Sequence, residues 1–117
     1  MIRAMQPSVM ESLEKNFVIQ RYWEADDKGA FLAQNTNTRF LATNGHDGCS
    51  SAIMDALPKL EIISCYGVGT DAIDLGADKE RGIRVTNTPE VLSDAVAELA
   101  LGMMLGLCRR IVDADRF

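Results

Sequence analysis

Gly67-Val68-Gly69 stands between a β-rich run and a helical one and is followed by Thr70-Asp71-Ala72. Two glycines at a strand end let backbone N–H groups approach a small anion closely, because no Cβ shields them. A carboxylate suits such a turn, although spacing alone favours the plainer reading, a tight βα turn with glycines for geometry only. The same residues fit the G-x-G-x-x-G/A dinucleotide fingerprint. Asp71 would place negative charge beside the pyrophosphate, however, and the next strand ends in Thr86-Asn87-Thr88, where the fingerprint needs an acid to hold the ribose hydroxyls. A dinucleotide site is not expected here.

Other reactive side chains reduce to structure. Asp71 and Asp74 are placed to cap the helix after the turn rather than to act as a catalytic pair. His46, the single histidine, lies in the loop Asn44-Gly45-His46-Asp47-Gly48 with no evident carboxylate to orient it, which favours a solvated side chain over an acid/base role. Cys49, Cys65 and Cys108 are an odd number without Cys-x-x-Cys spacing, each flanked by small or apolar residues as buried thiols are. One histidine and scattered cysteines make a poor zinc set, so no metal is expected. The six methionines read as adaptable core filler.

The elements that must carry these residues alternate between β-rich and helical runs, the pattern of a parallel sheet with helices on both faces. Helices are expected at Val9 to Lys15, at Phe31-Leu32-Ala33 behind Asp26 or Asp27 as N-cap, from Ser50 or Ser51 to Pro58, and near Leu75 to Glu80, ended by Gly82. Strands are expected at Phe17 to Trp23, Arg39 to Thr43, Leu60 to Cys65 and Ile83 to Thr86. From Ser93 to about Val112 nothing breaks a helix, and its apolar residues occupy nearly the whole circumference. A domain this small covers only one side of such a helix, which leaves a face for a second domain or a second copy, with Met103, Leu107 and Ile111 at the contact. Glu98 is expected in that interface. The chain stops at Phe117 with the helical pattern barely finished, as a segment of a longer protein would.

Composition narrows the class of protein. At 117 residues with 47% hydrophobic and 25% charged side chains, one ordinary hydrophobic core is expected. A net charge of −5, with 12 scattered Lys and Arg, argues against nucleic acid as a partner. No apolar run approaches the roughly 18 residues that span a bilayer, and Met1 to Pro7 lacks the apolar stretch of a signal peptide. The expectation is a cytoplasmic protein without a membrane partner.

Three long ordered stretches, Gly67 to Leu75, Arg81 to Pro89 and Val91 to Ala100, resemble the D-isomer-specific 2-hydroxyacid dehydrogenases, nearest the glyoxylate, hydroxypyruvate and hydroxyphenylpyruvate reductases; Asp55 to Ile62 is similar too. The resemblance covers most of residues 39–117, whereas residues 1–38 match only in pattern. It implies a two-domain enzyme with a flavodoxin-like substrate domain, an NAD or NADP domain of Rossmann type, and an active site between them. It further implies that the backbone N–H groups of Val68 and Gly69 bind the carboxylate of a small 2-oxo or 2-hydroxy acid. By the same resemblance Gly45 and His46 line that pocket, and Leu92 and Val96 pack near the nicotinamide ring.

The family's cofactor fingerprint, its carbonyl-polarising Arg, its supporting Glu and its acid/base His all fall later in the family pattern than Phe117. Residues 1–117 are therefore expected to form an incomplete substrate domain, with no catalytic residue among them and no activity alone. The domain's first strand is expected to be short or absent, because Met1 to Met5 leaves little room before Pro7. A reading of a different class makes the chain a free-standing interaction module that dimerises through the Ser93 to Val112 helix.

Overall fold

Burial alternates along the strands of this chain, and that alternation marks which face of the sheet carries the core. The computed structural model describes residues 1–116. In chain order they form α1 (Pro7–Glu14), a 3-10 turn (Tyr22–Glu24), α2 (Lys28–Gln34), β1 (Phe40–Asn44), α3 (Ser51–Ala56), β2 (Ile62–Tyr66), α4 (Leu75–Arg81), β3 (Arg84–Thr86), α5 (Ser93–Cys108) and α6 (Ile111–Ala114). The strands make one parallel sheet in the order β1-β2-β3, with Leu41 beside Ile63 and Ile63 beside Val85.

Successive strand residues point to opposite faces. Leu41, Thr43, Ile63 and Cys65 are buried on one face, where Met54 and Leu57 from α3 and its end, Ile73, Ala77 of α4 and Ile83 complete the core. The opposite face carries Phe40 and Tyr66, both exposed, and with Ala42 and Ile62 it floors a cleft of about 730 Å³ whose rim includes Val9 and Leu13 of α1. α1 and α2 stand across this cleft, with Val9, Leu13, Phe31 and Leu32 among its lining residues, so the second face is covered more loosely than the first. The described residues build a three-stranded sheet with its core on one side.

Local chemistry sets the boundaries. Pro7 opens α1, where its missing N–H costs nothing and its φ is already helical. The Asp27 and Asp74 carboxylates accept from the Ala30 and Ala77 N–H groups at 2.9 and 3.0 Å, capping α2 and α4. Gly82 ends α4 at φ 67°, a conformation in which a Cβ would be strained.

Several expectations fail, among them that the methionines fill the core: Met54 is buried, but Met103 and Met104 are exposed. Phe17 to Trp23 forms no strand: this stretch meets Met1 through two hydrogen bonds, the amino terminus to Gln20 O and Tyr22 N–H to Met1 O, but no ladder, and Val18 is 89% exposed. β-propensity needs a neighbouring edge to become a strand. The helix from Ser93 ends at Cys108 rather than near Val112, because Arg110 turns left-handed at φ 52° and starts the single turn α6. Cys49 and Cys65 are buried, but Cys108 is exposed on α5. As the short N-terminal segment predicts, Met1 to Met5 forms no strand, although Ile2 N–H reaches Ala42 O at 2.9 Å beside β1.

α5 projects from this body. The radius of gyration is 19.1 Å and the long axis 61 Å, whereas a compact chain of this length has a radius near 13 Å. No helix among the described residues is long and apolar enough to cross a membrane.

Candidate functional site

The carboxyl ends of parallel strands are where open α/β sheets gather their ligand-binding loops. Here the residues after each strand converge. Asn44 and Gly45 leave β1, Gly67-Val68-Gly69 leaves β2 and Asn87-Thr88 leaves β3. Gly45 comes so close to the β2 turn that an added Cβ would meet the Gly69 carbonyl oxygen at 2.8 Å.

All three carbonyls of the glycine turn have donors from the protein. Thr88 N–H donates to Gly67 O at 2.9 Å, Asn87 Nδ2 to Val68 O at 2.8 Å, and the Cys65 thiol to Gly69 O at 3.4 Å. Burial pushes the Cys65 thiol pKa up, which keeps the donating proton on sulfur. The Val68 and Gly69 N–H groups have no partner among the described residues, and both residues are exposed. Such a turn can accept a small anion on its N–H side. Asp71 Oδ2 lies 3.6 Å from where a Cβ on Gly69 would stand.

The loop after β1 is built to hold its shape. Asn44 Oδ1 accepts from the His46 and Asp47 N–H groups at 2.8 and 2.7 Å, and Asn44 Nδ2 donates to Asp47 Oδ2 at 2.7 Å. Arg3 Nε also donates to Asp47 Oδ2 at 2.7 Å, and the Arg3 bond followed by the Asn44 bond holds the Asp47 carboxyl below its usual range. The buried Thr43 hydroxyl donates to Gly48 O at 2.7 Å. Gly48 sits at φ 60°, and an added Cβ would lie 1.9 Å from Ala72 O, while Cys49 N–H reaches that same oxygen at 3.1 Å. This lacing carries the β1 loop directly onto the segment that follows the glycine turn.

The residues named from sequence are therefore placed unequally. Val68, Gly69 and Gly45 meet at the strand ends. His46 is in the same loop, but its side chain is 94% exposed; the carboxylate beside it, Asp47 Oδ1, is 3.7 Å from His46 Nδ1 and belongs to a residue already bonded to Arg3 and Asn44. Leu92 and Val96 begin α5 one turn apart, both more than half exposed. Asp74 caps α4 as expected, but Asp71 does not. The large apolar cleft reaches this region at Cys65, Tyr66 and Thr88 and includes none of Val68, Gly69, Gly45 or His46. The cleft and the glycine turn are thus two separate concave features, the cleft lined by apolar residues together with Asn35, Arg39 and Ser64.

Sequence reading missed Asn87, Thr88 and Cys65 as the residues that hold the turn. The parallel register contains the signal: Ser64 pairs with Thr86, so Thr88 must arrive beside Tyr66 and Gly67.

Comparison with known proteins bears on the same residues. The family model for the D-isomer specific 2-hydroxyacid dehydrogenase catalytic domain matches residues 1–109. The glyoxylate/hydroxypyruvate reductase A of Arabidopsis thaliana is 42% identical over 118 aligned positions, covering 100% of this chain and 38% of its own length. A 2-hydroxyacid dehydrogenase structure from Ketogulonicigenium vulgare superposes with a TM-score of 0.89 at 47% identity, covering 96% of this chain and 36% of that one. An NADPH-dependent glyoxylate/hydroxypyruvate reductase from Sinorhizobium meliloti, solved with NADP and malonate, has a TM-score of 0.74 at 37% identity, with 89% and 32% covered. The chain spans less than two fifths of the length of these relatives. With a family model matching nearly its whole length and a fold shared at this level of identity, the chain belongs to the D-isomer specific 2-hydroxyacid dehydrogenase family.

Proposed function

We propose that this chain is the substrate-side part of an NAD- or NADP-dependent D-2-hydroxyacid dehydrogenase of the glyoxylate or hydroxypyruvate type, and that its Gly67-to-Gly69 turn grips the substrate carboxylate. The observation that carries the reading is the pair of unpartnered N–H groups of Val68 and Gly69 at the carboxyl end of the central strand, with every carbonyl of the turn bonded on the other side. A carboxylate accepts two such bonds at once, and charge on the acceptor makes each stronger than a neutral pair. The malonate complex of the Sinorhizobium meliloti reductase is consistent with a carboxylate ligand in this family.

The exposed, apolar pair Leu92 and Val96 fits one flat face of a nicotinamide ring, and the cofactor, when bound, supplies the hydride. These residues do the positioning: the turn fixes the acid group, Gly45 closes against Gly69, and the start of α5 walls the reacting carbon from water. The histidine that moves the proton and the main cofactor contacts belong to a second domain of the whole enzyme. Two copies pair through the apolar surface of α5, and the enzyme works in the cytoplasm.

Titration of the ¹⁵N-labelled chain with glyoxylate tests the carboxylate site. Saturable shifts of the Val68 and Gly69 amide resonances are expected, with His46 less affected. Shifts confined to the apolar cleft, around Phe40 and Tyr66, would overturn the assignment. The same chain should not oxidise NADH or NADPH in the presence of glyoxylate or hydroxypyruvate, because hydride transfer needs a general acid held with it.

A further inference from the structure

A trans peptide group is planar, so holding its carbonyl also aims the N–H of the following residue the opposite way. No peptide in the described residues is cis. The Gly67 carbonyl shares its plane with Val68 N–H, and the Val68 carbonyl shares its plane with Gly69 N–H. The first of these planes is held by the Thr88 backbone at 2.9 Å and the second by the Asn87 side chain at 2.8 Å. Two consecutive residues after β3 therefore hold the two peptides whose N–H groups face outward.

We infer that Asn87 is a positioning residue for substrate binding, its side-chain amide orienting and polarising the Val68–Gly69 peptide so that Gly69 N–H is aimed at the substrate carboxylate. The inference rests on the carboxylate reading of the glycine turn. A hydrogen bond accepted by an amide carbonyl strengthens the bond its own N–H can donate, because the two ends of the group polarise each other. Asn87 does this at a distance: it touches the turn's back, not the ligand. The bond joins residues 19 apart and lies at the surface, so nothing in the core depends on it. Thr88 performs the same service for Val68 with its backbone and is indifferent to side-chain substitution. Asn87 is thus the adjustable half of the pair.

The test uses Asn87→Ala in the ¹⁵N,¹³C-labelled chain, read by amide and carbonyl resonances during glyoxylate titration. Before any ligand is added, the Val68 carbonyl and Gly69 amide resonances should move, while the Gly67 carbonyl and Val68 amide stay in place. On titration the dissociation constant should rise about fivefold, the size expected for one net hydrogen bond, with the Gly69 response reduced more than that of Val68. A structural role alone would move both peptides together or lower the melting temperature without this split. Wild-type response at Val68 and Gly69 with an unchanged response in Asn87→Ala overturns the role of Asn87 and leaves the carboxylate site standing. Absence of any response in the wild-type chain overturns the site itself, and the role of Asn87 with it.

Discussion

Ile63 and Leu101 are aliphatic residues of the same size, and the structure treats them oppositely. Ile63, at the centre of β2, is 0% exposed and enclosed by residues of α3, α4 and both neighbouring strands; Leu101, midway along α5, is 59% exposed. The same contrast separates two regions. Residues around the sheet bury their apolar atoms against one another, whereas α5 carries Leu99, Met103 and Leu107 outward, Leu107 at 80% exposure. Apolar type alone therefore says that a residue needs cover, not that this chain provides it. The strand-end site belongs to the first region, since its loops are laced to the packed face, while the proposed cofactor ledge at Leu92 and Val96 belongs to the second.

The comparison can be broken most directly at its buried end. Ile63→Ala removes three carbon atoms from a fully enclosed position between Leu41 and Val85, and large-to-small changes at such sites cost about 4 kcal/mol. Urea denaturation followed by circular dichroism measures it; a cost below about 1 kcal/mol would mean that the packed face is as loose as α5. Gly48→Ala is next. Its φ of 60° and the 1.9 Å approach of an added Cβ to Ala72 O force the β1 loop away from residues 72–74. The combined strain and lost Cys49-to-Ala72 hydrogen bond should cost about 3 kcal/mol. The amide resonances of Gly45 and Gly69 should shift together, because that loop carries Gly45 onto the turn; movement at only one of them would separate the site from the scaffold described for it.

Periodicity and turn chemistry made the packed region legible from sequence. The β1, β2 and β3 runs, the Asp27 and Asp74 caps and the Gly82 stop all lie within two residues of their expected places, since each is decided by neighbours along the chain. The glycine turn was legible in the sequence as a tight turn open to a small anion, but the residues that hold it were not, because Asn87, Thr88 and Cys65 reach it through sheet register rather than through adjacency. The failures lie where a partner decides the outcome. Phe17 to Trp23 has the composition of a strand but no edge to pair with, and Cys108 has the apolar neighbours of a buried thiol but sits on a helix that this chain leaves open. The left-handed Arg110 carries no warning at all in its own residue type, and with α5 unpacked no tertiary contact carries the helix past it.

The smallest effect is expected at the exposed end, and it is the most discriminating. Met103 and Leu107 lie one turn apart on the same side of α5, both exposed. Met, Leu and Lys have similar helix propensities, so Met103→Lys with Leu107→Lys removes apolar surface without weakening the helix. In dilute solution the stability of the chain should change by less than about 0.5 kcal/mol, the range of ordinary surface substitutions. At high concentration the two chains should part: the wild-type chain should sediment as a dimer through α5, and the doubly substituted chain as a monomer. A loss above about 1 kcal/mol in dilute solution would show that α5 folds back onto its own sheet, which would erase the contrast with Ile63. A wild-type chain that stays monomeric at high concentration would instead leave the contrast intact and remove the second copy as the cover for α5.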